Sequence, residues 1–275
     1  MAIDLGVWLR RRDPRHFQVA ILTILLCLGL TLRDLPIDPH AALALLLGAL
    51  LTQALGQYGL NLRTGYASAL ITGLSLVLLL RVGHPALGLL LGAVAVGSKF
   101  LLRWRGKAVF NPSHFGLVVA MLCGWGWVSP GQWGSGAALF LVVTTLASLV
   151  LWSAGRWDIT VTFLLAQAVV LGARALWLGD PAELFWHQFH SGSFLMFAAF
   201  MISDPRPTPD RRAGRVLFAL LVVAVAAVLR FGFYQPNELL WALALVSPLT
   251  PWIDALFPGS RHQWPQPATA KGEST

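Results

Sequence analysis

An all-α, polytopic membrane fold is predicted by three properties of this sequence: its apolar bias, its repeated long apolar runs, and the alternation of basic residues between those runs. Of 275 residues, 56% are hydrophobic and 12% are charged. Mean hydropathy is +0.67. A soluble domain carries roughly 25% charged residues, so a water-soluble fold of this length would lack the charge to cover its surface. The runs recur from about residue 18 to about residue 257. This predicts one transmembrane domain, 18–257, between a basic N-terminal segment, 1–17, and a polar, disordered tail, 258–275.

Ten runs approach the roughly 20 apolar residues that a bilayer crossing needs. They lie at about 17–33, 40–58, 66–82, 84–102, 112–128, 135–153, 158–178, 188–203, 214–231 and 236–257. The third and eighth are short. Arg10, Arg11, Arg12 and Arg15 precede the first run. No small-x-small cleavage site follows it, so it reads as a retained helix rather than a signal peptide.

The net charge of +8 would suggest nucleic acid in a soluble protein, but no nucleic-acid motif is present. Topology accounts for it, because cytoplasmic loops collect Lys and Arg. With the N-terminus inside, the inner segments hold Arg10, Arg11, Arg12, Arg15, Arg63, Lys99, Arg103, Arg105, Lys107, Arg156, Arg206, Arg211, Arg212, Arg215, Arg261 and Lys271. Only Arg33, Arg81, Arg174 and Arg230 fall outside. Sixteen against four predicts an even number of crossings, with both termini on the cytoplasmic side of the inner membrane. The expected surroundings are the lipid bilayer and protein partners on the cytoplasmic side, with no nucleic acid; a homo-oligomer is compatible with the sequence.

Ser68–Pro85 and Ser191–Pro207 resemble each other. Each opens on small polar residues, runs apolar and ends at a charge followed by proline. They occupy the third and eighth runs, the same place in two five-helix halves, 18–128 and 135–257. Five is odd, so the halves would be inverted, with a site framed by the paired short helices.

Polar side chains at membrane depth are costly and mark candidate sites. Ser68, Thr72, Gly73 and Ser75 open the third run and serve either ligand binding or helix packing. The second group is Lys107, Asn111, Ser113 and His114. Asn111 is set to cap a helix with Pro112 at its first position, and a helix start favours an anion or a polar ring edge. The third group is the loop holding Asp204, Arg206, Thr208, Arg211 and Arg212, which reads as topology signal, gate or docking surface. Glu183, His187 and His190 have a spacing compatible with metal, but the aromatic neighbours Phe185 and Trp186 favour an interfacial loop. Gly88 and Gly92 form a GxxxG packing motif. Cys27 and Cys123 read as small buried hydrophobes. No nucleophile–base pair, Walker loop or dinucleotide fingerprint is present, and no catalytic residue or metal ligand is assigned.

Three segments carry a family resemblance: SALITGLSLVLLL (Ser68–Leu80), FNPSHFGLVV (Phe110–Val119) and FMISDPRPTPDRRAGRVLFA (Phe200–Ala219). PLTPWID (Pro248–Asp254) fits with them. The chain resembles the family containing the NqrB protein of the Na+-translocating NADH:quinone reductase and the RnfD protein of the Rnf electron-transport complex. DPRHFQVA (Asp13–Ala20) and WVSPGQWGS (Trp127–Ser135) resemble its short, stand-alone UnbU-like members of enediyne biosynthesis. The resemblance implies a ten-helix inverted repeat, electron transfer coupled to ion movement, bound flavin, and redox or biosynthetic partner subunits. It also implies two departures. The family's S/T-G-A-T threonine holds FMN through a phosphoester, and Ala138 stands there in Ser135–Ala138. No covalent FMN is therefore expected. A second asparagine near a riboflavin is replaced by Ala108. The implied cofactor is a noncovalent flavin, riboflavin or FMN, held by Ser68, Thr72, Gly73, Asn111, Ser113 and His114, with Lys107 near any phosphate. The same fold also admits a small-solute or ion transporter or channel without a redox cofactor, or a membrane anchor whose Asp204–Arg215 loop docks a biosynthetic enzyme.

Overall fold

The computed structural model describes residues 13–32, 34–61, 65–129, 131, 133 and 137–262. The first twelve residues of the expected N-terminal segment, most of the expected tail, and Ser135–Gly136 lie outside the described residues. The first half comprises α1 (Pro14–Leu32), α2 (Pro39–Gly59), α3 (Ala67–Leu79), α4 (Pro85–Leu101) and α5 (Pro112–Leu122). The second comprises α6 (Ala137–Ala154), α7 (Trp157–Leu178), α8 (Ala182–Phe189), α9 (Gly192–Met196), α10 (Arg212–Gly232), α11 (Glu238–Val246) and α12 (Thr250–Leu256). Two pairs of two-residue strands complete it: β1 (Arg81–Val82) with β4 (Gly126–Trp127), and β2 (Arg103–Trp104) with β3 (Lys107–Ala108).

Among the described residues, five helical segments are long and apolar enough to cross a membrane: α1, α2, α7, α10 and Glu238–Leu256. Their outer faces show what solvates them. On α2, Leu43, Leu47, Leu51 and Leu55 repeat every four residues and are 57%, 44%, 56% and 72% exposed. Val161, Leu165 and Val169 do the same on α7. Such stripes are a liability in water and the ordinary surface of a helix in lipid, where backbone groups are satisfied within the helix. This is a multi-pass membrane protein.

Helix boundaries follow local chemistry. Asp38 caps α2, accepting from His40 N at 3.0 Å. His84 Nδ1 accepts from Ala86 N at 3.1 Å at the start of α4. Each is followed by proline, which fits the first helical position. Gly179, in the left-handed region at φ 72°, ends α7.

The expected third and fifth runs end earlier as helix than their hydropathy suggests. Leu80 turns extended at ψ 137°, and Gly124 reverses the chain at φ 66°. The released segments pair as β1 and β4, with Arg81 opposite Trp127. The eighth run opens on the end of α8, continues as the short α9 and then widens into one π turn, Phe197–Met201, buried throughout. π turns are uncommon and frequently sit at functional sites. The tenth run is interrupted by a 3-10 turn, Ser247–Leu249, which contains Pro248 and is followed by Pro251.

The closest helix pair is α2 with α4. A Cβ at Gly48 would lie 2.1 Å from Leu89 O, and one at Gly92 would lie 2.2 Å from Leu45 O. The GxxxG motif therefore packs backbone against backbone. Cys27 and Cys123 are exposed rather than buried, because a thiol facing lipid loses little by leaving the core. His187 lies on helix α8, not in a loop, and His190 is that helix's C-cap, stacked on Trp186 at 6.0 Å.

Candidate functional site

One cleft brings together residues from both halves. Its walls are the start of α3 (Ser68, Thr72, Ser75), the start of α5 (Asn111, Ser113), the beginning of α1 (Arg15, Gln18), the end of α6 (Leu151, Ala154), the π turn (Phe200) and the loop after it (Asp204, Arg206). Its volume is about 50 Å³.

Asn111 organises one wall. Its extended backbone, with ψ 128°, precedes Pro112 and starts α5. Its Oδ1 accepts from His114 N at 3.1 Å and from Ser113 Oγ at 2.7 Å. Its Nδ2 donates to Asp204 Oδ2 at 2.9 Å, across 93 residues. One amide therefore caps a helix of the first half and anchors a loop of the second. Asn111→Ala should lower stability by about 1 kcal/mol through the lost cap. It should also loosen the Asp204 loop, seen as faster amide exchange over 203–211 than in a mutant that weakens another cap equally. Unchanged exchange there would show that the link to Asp204 is dispensable.

Asp204 is enclosed. Besides Asn111, it takes Arg206 N at 3.0 Å on Oδ1, while Thr208 Oγ1 donates to its main-chain oxygen at 2.7 Å. Burial raises its pKa above the ordinary carboxylate value, opposed by the Arg206 main-chain N–H, the Arg206 and Arg156 charges and the Asn111 amide. Arg156, 4% exposed, donates to Pro209 O at 3.0 Å and to Pro205 O at 3.5 Å. The proline-rich loop is thus clamped through carbonyls that prolines still offer.

The remaining candidates separate. Thr72 Oγ1 donates to Ser68 O at 2.9 Å, inside the cleft wall. Gly73 is buried against Leu46 and Ala49 of α2, away from the cleft. His114 is fully buried beneath Asn111, its Nε2 2.8 Å from Leu240 O, and its Nδ1 has no hydrogen-bond partner among the described residues. Lys107 points elsewhere, pairing with Asp254 at 2.6 Å and Asp210 at 3.0 Å. It lines a second cleft of about 240 Å³ with Trp104, Arg105, Asp210, Asp254 and Arg261. Arg211 and Arg212 face outward, Arg212 lying over the Trp157 ring. Arg15, Gln18 and Lys99 were not among the sequence candidates, although a lysine inside the apolar run AVAVGSKFLL was a signal. Lys99 Nζ donates to Ser68 Oγ at 3.3 Å. Among the described residues, no group of three or more His, Cys, Asp or Glu could hold a metal ion.

The basic loop residues gather around this end of the bundle. Lys99 feels Arg15 and Arg206, Arg206 feels Arg103, and Arg261 donates to Arg105 O at 2.6 Å. His262 has its pKa lowered to about 4, by burial first and then by Arg156 and Arg206. At the opposite end, Arg230 pairs with Glu238 at 3.1 Å and Arg174 lies over Phe231.

The sequence of this chain is similar to those of known proteins. Over 152 residues, 54% of this chain and 40% of the relative, it is 34% identical to the D component of the ion-translocating oxidoreductase complex of Escherichia fergusonii. It is 36% identical over 153 residues to the proteins of that name from Salmonella paratyphi B and Salmonella newport, with the same coverage. The chain thus spans about 40% of the length of these curated relatives. The sequence pattern of the NQR2, RnfD, RnfE family matches residues 119–261. That match runs from α5 through the Asp204 loop and α12, so the helices and loop that close the second half of the cleft are those of the NQR2, RnfD, RnfE family, to which this chain belongs.

Proposed function

We propose that this chain is a membrane subunit of an electron-transport system coupled to ion movement, and that it holds a flavin noncovalently in the cleft between its halves. The names of its relatives support the system. The observation that carries the site is the convergence of Ser68, Thr72, Asn111, Ser113, Asp204 and Arg206 on one cleft. The proposed frame is ten crossings in two inverted halves with both termini cytoplasmic. The gathering of basic residues at the cleft end supports that orientation. Partner redox subunits would then meet the chain at this end, where Arg211 and Arg212 are exposed.

The lining suits a flavin in its chemistry. Ser68, Thr72, Ser75 and Ser113 offer hydroxyls for a polyhydroxylated side chain, and Ile71, Leu151 and Phe200 offer apolar surface for a ring. A volume of about 50 Å³ holds a few waters. Ring entry therefore requires the walls of the cleft to separate. When bound, the flavin would accept and pass electrons; the chain's residues bind it, exclude water and fix the charge around it. The Asn111–Asp204 link holds the halves at a set spacing. Ala138 in place of the flavinylation threonine leaves noncovalent binding as the mode.

Protein purified in mild detergent should show the visible absorption of oxidised flavin. Denaturation should release all of it, leaving no fluorescent band on a denaturing gel. Colourless protein releasing no flavin would overturn the proposal. The small volume also favours a second reading, transport of a small solute or ion without redox chemistry. Flux into liposomes that needs no electron donor would select it.

A further inference from the structure

The second cleft, about 240 Å³, has no part in the flavin reading. It is enclosed by the β2–β3 hairpin, the Asp210 end of the proline-rich loop, one face of α12 and the segment that follows α12. Arg105 and Gly106, at φ 48° and 81°, make the two-residue turn of the hairpin. Arg105 therefore stands at its tip, and Trp104 faces Lys107 across the strands. Arg261 Nη2 donates to Arg105 O at 2.6 Å, which ties the segment after α12 to that tip.

Two apolar helical segments end beside this cleft. α4 stops at Leu101, two residues before the hairpin, and Glu238–Leu256 stops two residues before Pro258. The latter has 19 residues, roughly 28 Å at about 1.5 Å per residue, close to a hydrocarbon core about 30 Å thick. The cleft thus opens at headgroup depth. Leu101 and Trp104 on the hairpin side, and Trp252 and Leu256 on α12, are all exposed beside it. Tryptophan is enriched at such an interface.

Five charged side chains line the cleft: Arg105, Lys107, Arg261, Asp210 and Asp254. Lys107 lies between the carboxylates, 3.0 Å from Asp210 and 2.6 Å from Asp254, and Asp254 Oδ1 also accepts from Asp210 N at 2.9 Å. Among the described residues, neither Arg105 nor Arg261 forms an ion pair. Three cations against two carboxylates leave one positive charge uncompensated. Thr250, on the α12 wall, is 1% exposed, and its Oγ1 has no hydrogen-bond partner among the described residues. A buried hydroxyl in that state calls for a ligand or a water.

We infer that this cleft binds the headgroup of an anionic phospholipid from the leaflet at the basic end of the bundle. The single negative charge of a phosphodiester matches the single uncompensated cation. Arg105 and Arg261 donate to its oxygens in charge-assisted bonds, and the Thr250 hydroxyl meets a headgroup oxygen. The acyl chains lie outside, over Trp252 and Leu256. Basic pockets at the ends of membrane helices are suited to such headgroups. A zwitterionic headgroup brings no net charge and sets its ammonium beside two arginines.

Full-length protein in mild detergent would be titrated with phosphatidylglycerol and with phosphatidylcholine of the same chains, following the first bound lipid by native mass spectrometry. Phosphatidylglycerol should bind about tenfold more tightly, as two arginines near an anionic headgroup imply. Replacing both, Arg105→Gln with Arg261→Gln, should bring the two lipids to within about twofold of each other. Arg212→Gln, which removes an exposed charge outside the cleft, should leave the preference intact. Arg105→Gln alone, at the hairpin tip, should at least halve the preference and decides the matter if the double variant does not fold. Equal binding of the two lipids by the wild type would overturn the site. So would a preference that survives the loss of both arginines, or one that falls as far in Arg212→Gln. If no lipid preference is found but inorganic phosphate raises the unfolding temperature of the wild type and not of the double variant, the cleft takes a free anion and the lipid assignment falls.

Discussion

Gly92→Ala is expected to unfold at a markedly lower temperature than the wild type, although alanine is the better helix former by about 1 kcal/mol. The new Cβ would sit 2.2 Å from Leu45 O and 3.0 Å from Ala49 N, both backbone atoms of α2. No rotamer change relieves that overlap, so α2 and α4 must separate. Overpacking costs typically about 1–3 kcal/mol and occasionally more, and a backbone clash belongs at the upper end. Gly48→Ala should behave alike, since its Cβ would meet Leu89 O at 2.1 Å. Gly97 supplies the control on the same helix. Its Cβ would touch only Thr52 Cγ2 at 3.9 Å, so Gly97→Ala should be neutral or slightly stabilising. Thermal unfolding of the three variants in detergent decides this; equal midpoints for Gly92→Ala and Gly97→Ala would show that the close contact contributes nothing.

The second large effect is expected at Asp158, where α7 and α10 begin beside the loop that closes the cleft. Asp158, 5% exposed, accepts from Arg215 Nε at 2.9 Å and from Arg215 Nη2, while Arg215 also donates to Asp210 O at 2.6 Å. Asp158→Ala removes the only carboxylate that pairs with Arg215 among the described residues and leaves it near the like charge of Arg156. Breaking one side of such a pair typically costs about 3–5 kcal/mol. Replacing both partners should cost clearly less than the sum of the single changes, because the stranded charge is then gone. A cycle of Asp158→Ala, Arg215→Met and the double variant, followed by thermal or denaturant unfolding, measures this. Single effects below about 1 kcal/mol, or strict additivity, would show that the pair is solvated in the membrane protein and contributes little.

Asn111 and Lys107 show how far the sequence reaches into the site. The helix cap was legible because it is local: Asn, then Pro, then an apolar run has one economical backbone solution. The link from Asn111 to Asp204 was not, because nothing within 93 residues of chain encodes which carboxylate an amide will meet. Lys107 failed as a cleft residue for the same reason. Its charge was visible, but its partner Asp254 lies 147 residues away. Lys99 was visible only as a topology charge, and the fold turns it onto Ser68. The strand pair Arg81–Val82 with Gly126–Trp127 was hidden because two residues carry no periodicity, so hydropathy merged them into helices.

Gly92 marks the boundary between the two kinds of information. Membrane character, the order of the apolar segments and the sorting of basic residues are set by the sequence itself. Each depends on transfer of short stretches between water and lipid, which is local and additive along the chain. Gly92 was equally visible as a packing residue, but its contact with Leu45 was not. The cleft, the half-buried Asp204 and the cations around Ser68 exist only once the helices pack. Burial and charge compensation depend on which distant side chains share a low-dielectric space. That neighbourhood is a property of the tertiary structure alone.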